Sequence, residues 1–149
     1  MPPDSSDIDN ALIGYLAADA TLRAQLPDGV YQDEAVPQAT RYALVVVNDA
    51  VDYPVFDGPG FESVLYQVTA VIQQGASGDI KAAAARIHEL LQDATFTIPG
   101  YTLTACYRED RVRGTEVDSN DSDIRFFHRG GRYRVQATPT EVATAKRTP

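Results

Sequence analysis

Near the start of the chain, apolar residues recur three and four apart at Ile8, Ala11, Leu12, Tyr15 and Leu16, a spacing that lays one apolar stripe along a helix. Ser6, with Asp9 three residues on, reads as the capping pair that starts it. Asp19 is positioned to cap a further short turn carrying Leu22 and Leu26, after which Pro27, Asp28 and Gly29 break the pattern. Beyond that break the period changes. Val30 and Tyr31 begin extended structure, residues 42–48 are apolar up to the closing Asn48 as in a strand covered on both faces, and residues 62–73 alternate as a strand should. Asp57, Gly58, Pro59 and Gly60 between them predict a turn, so these strands form an antiparallel pair. A second long helix follows Gly78, with Asp79 as its cap and Ile80, Ala83, Ala84, Ile87 and Leu91 as its buried stripe. Strands over 101–108 and 124–137 complete the pattern, separated by a polar stretch that is long for a compact domain.

The order helix, strands, helix, strands, without an internal repeat, predicts an α+β fold: a mainly antiparallel sheet with two helices packed on one face. At 149 residues and 44% apolar content, the chain suffices for one such domain. The ends carry too little hydrophobicity to join it, so residues 1–6 and 139–149 are expected to be flexible tails around a domain over 7–138.

A net charge of −8 and a pI near 4.6 argue against a free nucleic-acid binder, because phosphate affinity comes mainly from Lys and Arg. No apolar run approaches a membrane span, and the N-terminus lacks a basic leader with an uninterrupted apolar core. Synthesis in the cytosol, with no membrane partner, is the expectation.

Candidate catalytic chemistry is sparse. His88 lies in the second helix with no second ligand at 84 or 92, and His128 lies in a basic strand, so neither has the donors that zinc requires. Cys106, the single cysteine, sits in an alternating run where a small buried residue is expected. Pairing it with a histidine as a nucleophile has no supporting sequence context. The glycines match neither a P-loop nor a dinucleotide fingerprint. The chain thus predicts no catalytic residue, no metal and no cofactor.

Two charge features stand out. Residues 116–123 carry Glu116, Asp118, Asp121 and Asp123 without a basic residue and read as a mobile acidic loop. Arg125, Arg129, Arg132 and Arg134 follow on one strand as a cationic face, a candidate contact with the carboxylates of a partner such as another copy of this chain. The plainer alternative makes Arg132 and Arg134 a solvated face, with Tyr133 and Val135 inward and Gly130 and Gly131 at a bulge. Aromatic and arginine residues together can also stack single-stranded nucleic acid, but the flanking acids oppose a polyanion.

The arrangement as a whole resembles the tail terminator, or tail completion, proteins of long-tailed bacteriophages. The resemblance runs over roughly 7–138, through the leading helix ending at LPDGVY, the loop QDEAVPQAT before RYALVVV, the turn and strand DGPGFESVLYQVTAVIQ, the helix KAAAARIHELLQDA, the strand YTLTACYRED and the closing RGGRYRVQA. It implies a structural virion protein without catalytic residues: a six-membered ring of copies that caps the tail tube, ends its polymerisation and offers a surface to the head-tail connector, while DNA passes through unread. In such a ring Arg125, Arg129, Arg132 and Arg134 are expected at a subunit or tail-tube interface, and Glu116, Asp118, Asp121 and Asp123 on a loop facing the lumen or the tube. The alternatives are a neck or head-tail adaptor of the same machine, and a small cytosolic enzyme using Cys106 or His88.

Overall fold

The structure, a computed structural model, describes residues 4–55, 58–118 and 120–140. Among the described residues, three helices, α1 (Ser5–Ala17), α2 (Ala20–Gln25) and α3 (Ile80–Leu91), accompany five strands: β1 (Val30–Gln32), β2 (Arg41–Val55), β3 (Gly58–Gln73), β4 (Tyr101–Val117) and β5 (Arg125–Pro139). The strands form one sheet in the order β1-β2-β3-β5-β4. Only β1 pairs in parallel, along Ala43, Leu44 and Val45 of β2; the other neighbours are antiparallel. The fold is therefore α+β, as the pattern predicts.

Helix α1 begins one turn earlier than its apolar stripe suggests. Asp4 caps it and Asp7 reciprocates, so the capping box is Asp4 with Asp7 and not Ser6 with Asp9. Ser5 and Ser6, expected in a flexible tail, form the first turn. Asp9 instead accepts hydrogen bonds from the Tyr66 hydroxyl and from the Gln32 amide at 3.1 Å, tying α1 to β3 and β1. Asp19 caps α2 and Asp79 caps α3, as expected. Asp19 also holds Arg86 of α3 through two contacts of 2.6 and 2.9 Å, a bidentate clamp that depresses its pKa. Tyr15 donates to the Leu90 carbonyl at 2.8 Å, a second link between α1 and α3.

The break after α2 has a specific anchor. Gly29 sits at φ 108°, where a Cβ would be strained, and the Asp28 carboxylate accepts the backbone N–H groups of Thr40 and Arg41, each at 2.9 Å. These bonds pin the loop to the start of β2 and hold the carboxyl below its usual range.

Ile8, Leu12 and Leu16 of α1, Leu22 of α2, and Ala83, Ile87 and Leu91 of α3 join one buried cluster with alternate sheet residues such as Val45, Val64, Tyr66, Val68, Tyr133 and Val135. Burying that apolar area is the main driving force for the fold.

Both long hairpins exceed their predicted strands. Gly58, Pro59 and Gly60 belong to β3 and not to a turn, and Val55 pairs with Gly58; Asp57, the other residue of the expected turn, lies outside the described residues. Residues 109–117, expected to be loop, continue β4. At the other end β5 takes in Pro139, and Thr140 donates to the Gly100 carbonyl at 2.9 Å; the rest of the expected C-terminal tail, 141–149, lies outside the described residues. Since Glu62 pairs with Ala137 and Gln73 with Phe126, the β2–β3 and β4–β5 hairpins turn at opposite ends of the sheet.

Candidate functional site

The β4–β5 hairpin carries most of the charge features, and a single irregularity organises them. Arg108 faces Tyr133 and Asp110 faces Arg132, leaving Glu109 as an extra residue on β4. A bulge of this kind resets which side chains point to which face. Glu109 and Asp110 are adjacent, yet both reach arginines of the same β5 face: Asp110 pairs with Arg132 at 2.9 Å and Glu109 with Arg134. Arg134 also donates to the buried Ser63 hydroxyl at 2.7 Å. The ion pair raises the Arg134 pKa further.

The four β5 arginines therefore do not form one cationic face. Strand alternation sends Arg132 and Arg134 to one side and Arg125 and Arg129 to the side that buries Tyr133 and Val135. Gly130 and Gly131 mark no bulge on β5, because their pairing with Thr69 and Val68 is continuous. They permit close approach: a Cβ on Gly130 would lie 2.0 Å from the Val68 carbonyl oxygen.

On the α3 side the same bulge assembles a cluster that the sequence pattern did not reveal. Arg111 and Arg113 fall beside Arg108, and with Arg129, Lys81 and His88 they line a cleft of about 640 Å³ between α3 and the hairpin. Among the described residues, none of these four arginines nor Lys81 is in an ion pair. The His88 pKa is lowered, first by burial and then by Arg108 and Arg111. The alternation of Arg111 and Arg113 was the one available signal.

The acidic segment is a compact hairpin tip, not a long loop. Asp118 donates its N–H to the Ile124 carbonyl at 2.9 Å, and Ile124 to that of Asp121 at 3.1 Å. The Asp121 carboxylate accepts the Asp123 N–H at 3.0 Å, and that of Asp118 accepts the Asn120 N–H at 2.7 Å. Glu116 lies within β4 and contacts His128 across the hairpin at 2.9 Å. Glu116, Asp121 and Asp123 are exposed.

Cys106 is packed in the core, where burial and the Asp93 carboxylate push its thiol up to about 12, which suppresses the nucleophilic thiolate. The Nδ1 of His88 lies 3.2 Å from the Tyr133 hydroxyl. Among the described residues, no group of three or more His, Cys, Asp or Glu side chains could hold a metal ion, and no helix is long and apolar enough to cross a membrane.

Over residues 10–135 the sequence matches the family described as tail completion protein gp17. The chain belongs to that family. It is accordingly a structural tail protein and a virion component, not an enzyme. Among solved structures, a chain of the virion of a native gene transfer agent particle has 19% identity and a TM-score of 0.67, with 90% of this chain and 96% of that chain covered. Another solved chain has 14% identity and a TM-score of 0.52, with 92% and 96% covered. Both likenesses concern the fold. No curated protein matches.

Proposed function

We propose that copies of this chain close into a ring, six-membered by the family resemblance, that caps the tail tube, stops its polymerisation and offers the surface to which the head-tail connector binds. The match to the tail completion family over residues 10–135 carries this reading. Residues of the three helices share one buried cluster with the sheet, and on this reading the two hairpin ends reach toward neighbouring copies or the tube. Net charge supports a conduit for DNA: at −8 the protein repels phosphates within a Debye length of about 8 Å, so a passing duplex does not stick to it. The charged side chains of the β4–β5 hairpin serve subunit or tube contacts.

Electron microscopy of purified chain added to tail tubes tests the reading. Rings seated on tube ends that block further growth are the expected result. A chain that stays monomeric when concentrated and leaves tube ends bare overturns it.

A further inference from the structure

We propose that the basic cleft between α3 and the β4–β5 hairpin binds the carboxylates of the acidic hairpin tip of a second copy of this chain. The inference rests on the ring reading and gives that ring its contact.

Charge and geometry support it together. The cleft gathers Arg108, Arg111, Arg113, Arg129 and Lys81, whereas the arginines on the other face of the hairpin already pair within the chain. Five cations in one cleft of a chain with net charge −8 repel one another until an anion is supplied. Four of them are arginines, whose planar fork matches a carboxylate in two parallel hydrogen bonds. Ala84 and Ala85 line the helix side of the cleft, leaving room between the cationic heads.

The tip supplies the matching charge. Asp121 and Asp123 are exposed at the end of the hairpin, and the turn hydrogen bonds hold them in a compact shape. The tip cannot fill the cleft of its own chain: Arg113 is four strand residues, about 13 Å, from the end of β4 at Val117, and the turn leads onward from there. One patch meeting a different patch on the next copy is a heterologous contact, which generates a ring when the rotation closes. A DNA occupant is disfavoured because the rest of the surface is acidic, and a duplex carries its phosphates past the whole surface at once.

Charge exchange tests the proposal, read by sedimentation of the purified full chain up to its solubility limit, with circular dichroism to check folding. The exposed Arg111 and Arg113 are changed in Arg111→Glu with Arg113→Glu, and the tip in Asp121→Lys with Asp123→Lys. Each pair is expected to weaken self-association by about tenfold or more, and the four changes combined should restore it to near the original value, as expected for charges that meet across an interface. Wild-type association in both single sets, or a combined variant weaker than either, overturns the proposal. So does a chain that remains monomeric throughout, or a cleft that binds a short DNA duplex while the arginine reversals leave self-association intact. Tube-end capping is scored separately: a chain that caps tubes but shows no charge rescue loses this contact and keeps the proposed function.

Discussion

The two long hairpins have similar lengths and different chemistry. In β2–β3 the inward positions Ala43, Val45, Val64, Tyr66, Val68 and Ala70 are buried, and the hairpin forms the centre of the core. In β4–β5 burial is confined to positions such as Cys106, Tyr133, Val135 and Ala137, beyond which Arg111, Arg113 and Glu116 are exposed and charges meet across the strands. Removal of apolar area from water stabilises the first hairpin along its length and the second only at its inner half, where Tyr133, Val135 and Ala137 join the same core; the outer half rests on backbone pairing. Core and charged surface thus occupy neighbouring parts of one sheet.

The sharpest way to break this contrast lies at two glycines of the second hairpin. Gly130→Val is expected to destabilise by about 3 kcal/mol or more, or to prevent folding, because its Cβ would meet the Val68 carbonyl oxygen at 2.0 Å. Gly114→Ala, with nothing within 4 Å of its added Cβ, should change stability by less than about 1 kcal/mol. Denaturant unfolding of both variants measures the gap, and similar values would refute close packing at Gly130.

Next in size, Ile87→Ala should cost about 2 to 5 kcal/mol in the same measurement, since Ile87 is fully buried among residues of helices and sheet. A loss below about 1 kcal/mol would mean that α3 is not packed on the core.

A smaller, pH-dependent effect belongs to Asp28. Its folded pKa lies below its ordinary value of 3.8 because Thr40 and Arg41 donate backbone N–H groups to the carboxylate. The ionised form is therefore favoured by folding, and the stabilisation is fully present above the unfolded pKa and lost as pH falls through the folded one. Asp28→Asn should lower stability at neutral pH by about 1 to 2 kcal/mol and flatten the dependence of unfolding free energy on pH below about 4. An unchanged acid limb would remove Asp28 from the account.

The smallest effect separates the two ion pairs of the second hairpin. Arg132 and Asp110 are 41% and 49% exposed, so Arg132→Gln should cost no more than about 1 kcal/mol. Arg134 is 16% exposed and also satisfies the buried Ser63 hydroxyl, so Arg134→Gln should cost more than Arg132→Gln. The reverse order in thermal melts would contradict the assigned partners.

The same contrast governs what could be read from the sequence. The apolar runs of β2 and β3 and the stripes of α1 and α3 were legible because burial imposes a period on residue type, and the caps Asp19 and Asp79 because a short carboxylate before such a stripe accepts the unpaired N–H groups of the first turn. The outer half of β4 was not: RVRGTEV has the composition of a loop, and β5 makes it a strand through backbone pairing that composition does not encode. The basic cleft was missed for a related reason. It depends on the bulge at Glu109, which brings Arg108, Arg111 and Arg113 to one side while Glu109 and Asp110 go to the other. No residue in RED announces a bulge, so strict alternation assigns these side chains to the wrong faces. The four β5 arginines show the opposite case, since counting by two already separates Arg129 from Arg132 and Arg134.

Tail length in particles assembled without this chain tests the central claim most directly. With capping lost, the tube keeps polymerising, and electron micrographs should show overlong tails of variable length that return to uniform length when the chain is supplied. Tails of normal length left unattached to heads would contradict the account and assign the chain to the neck.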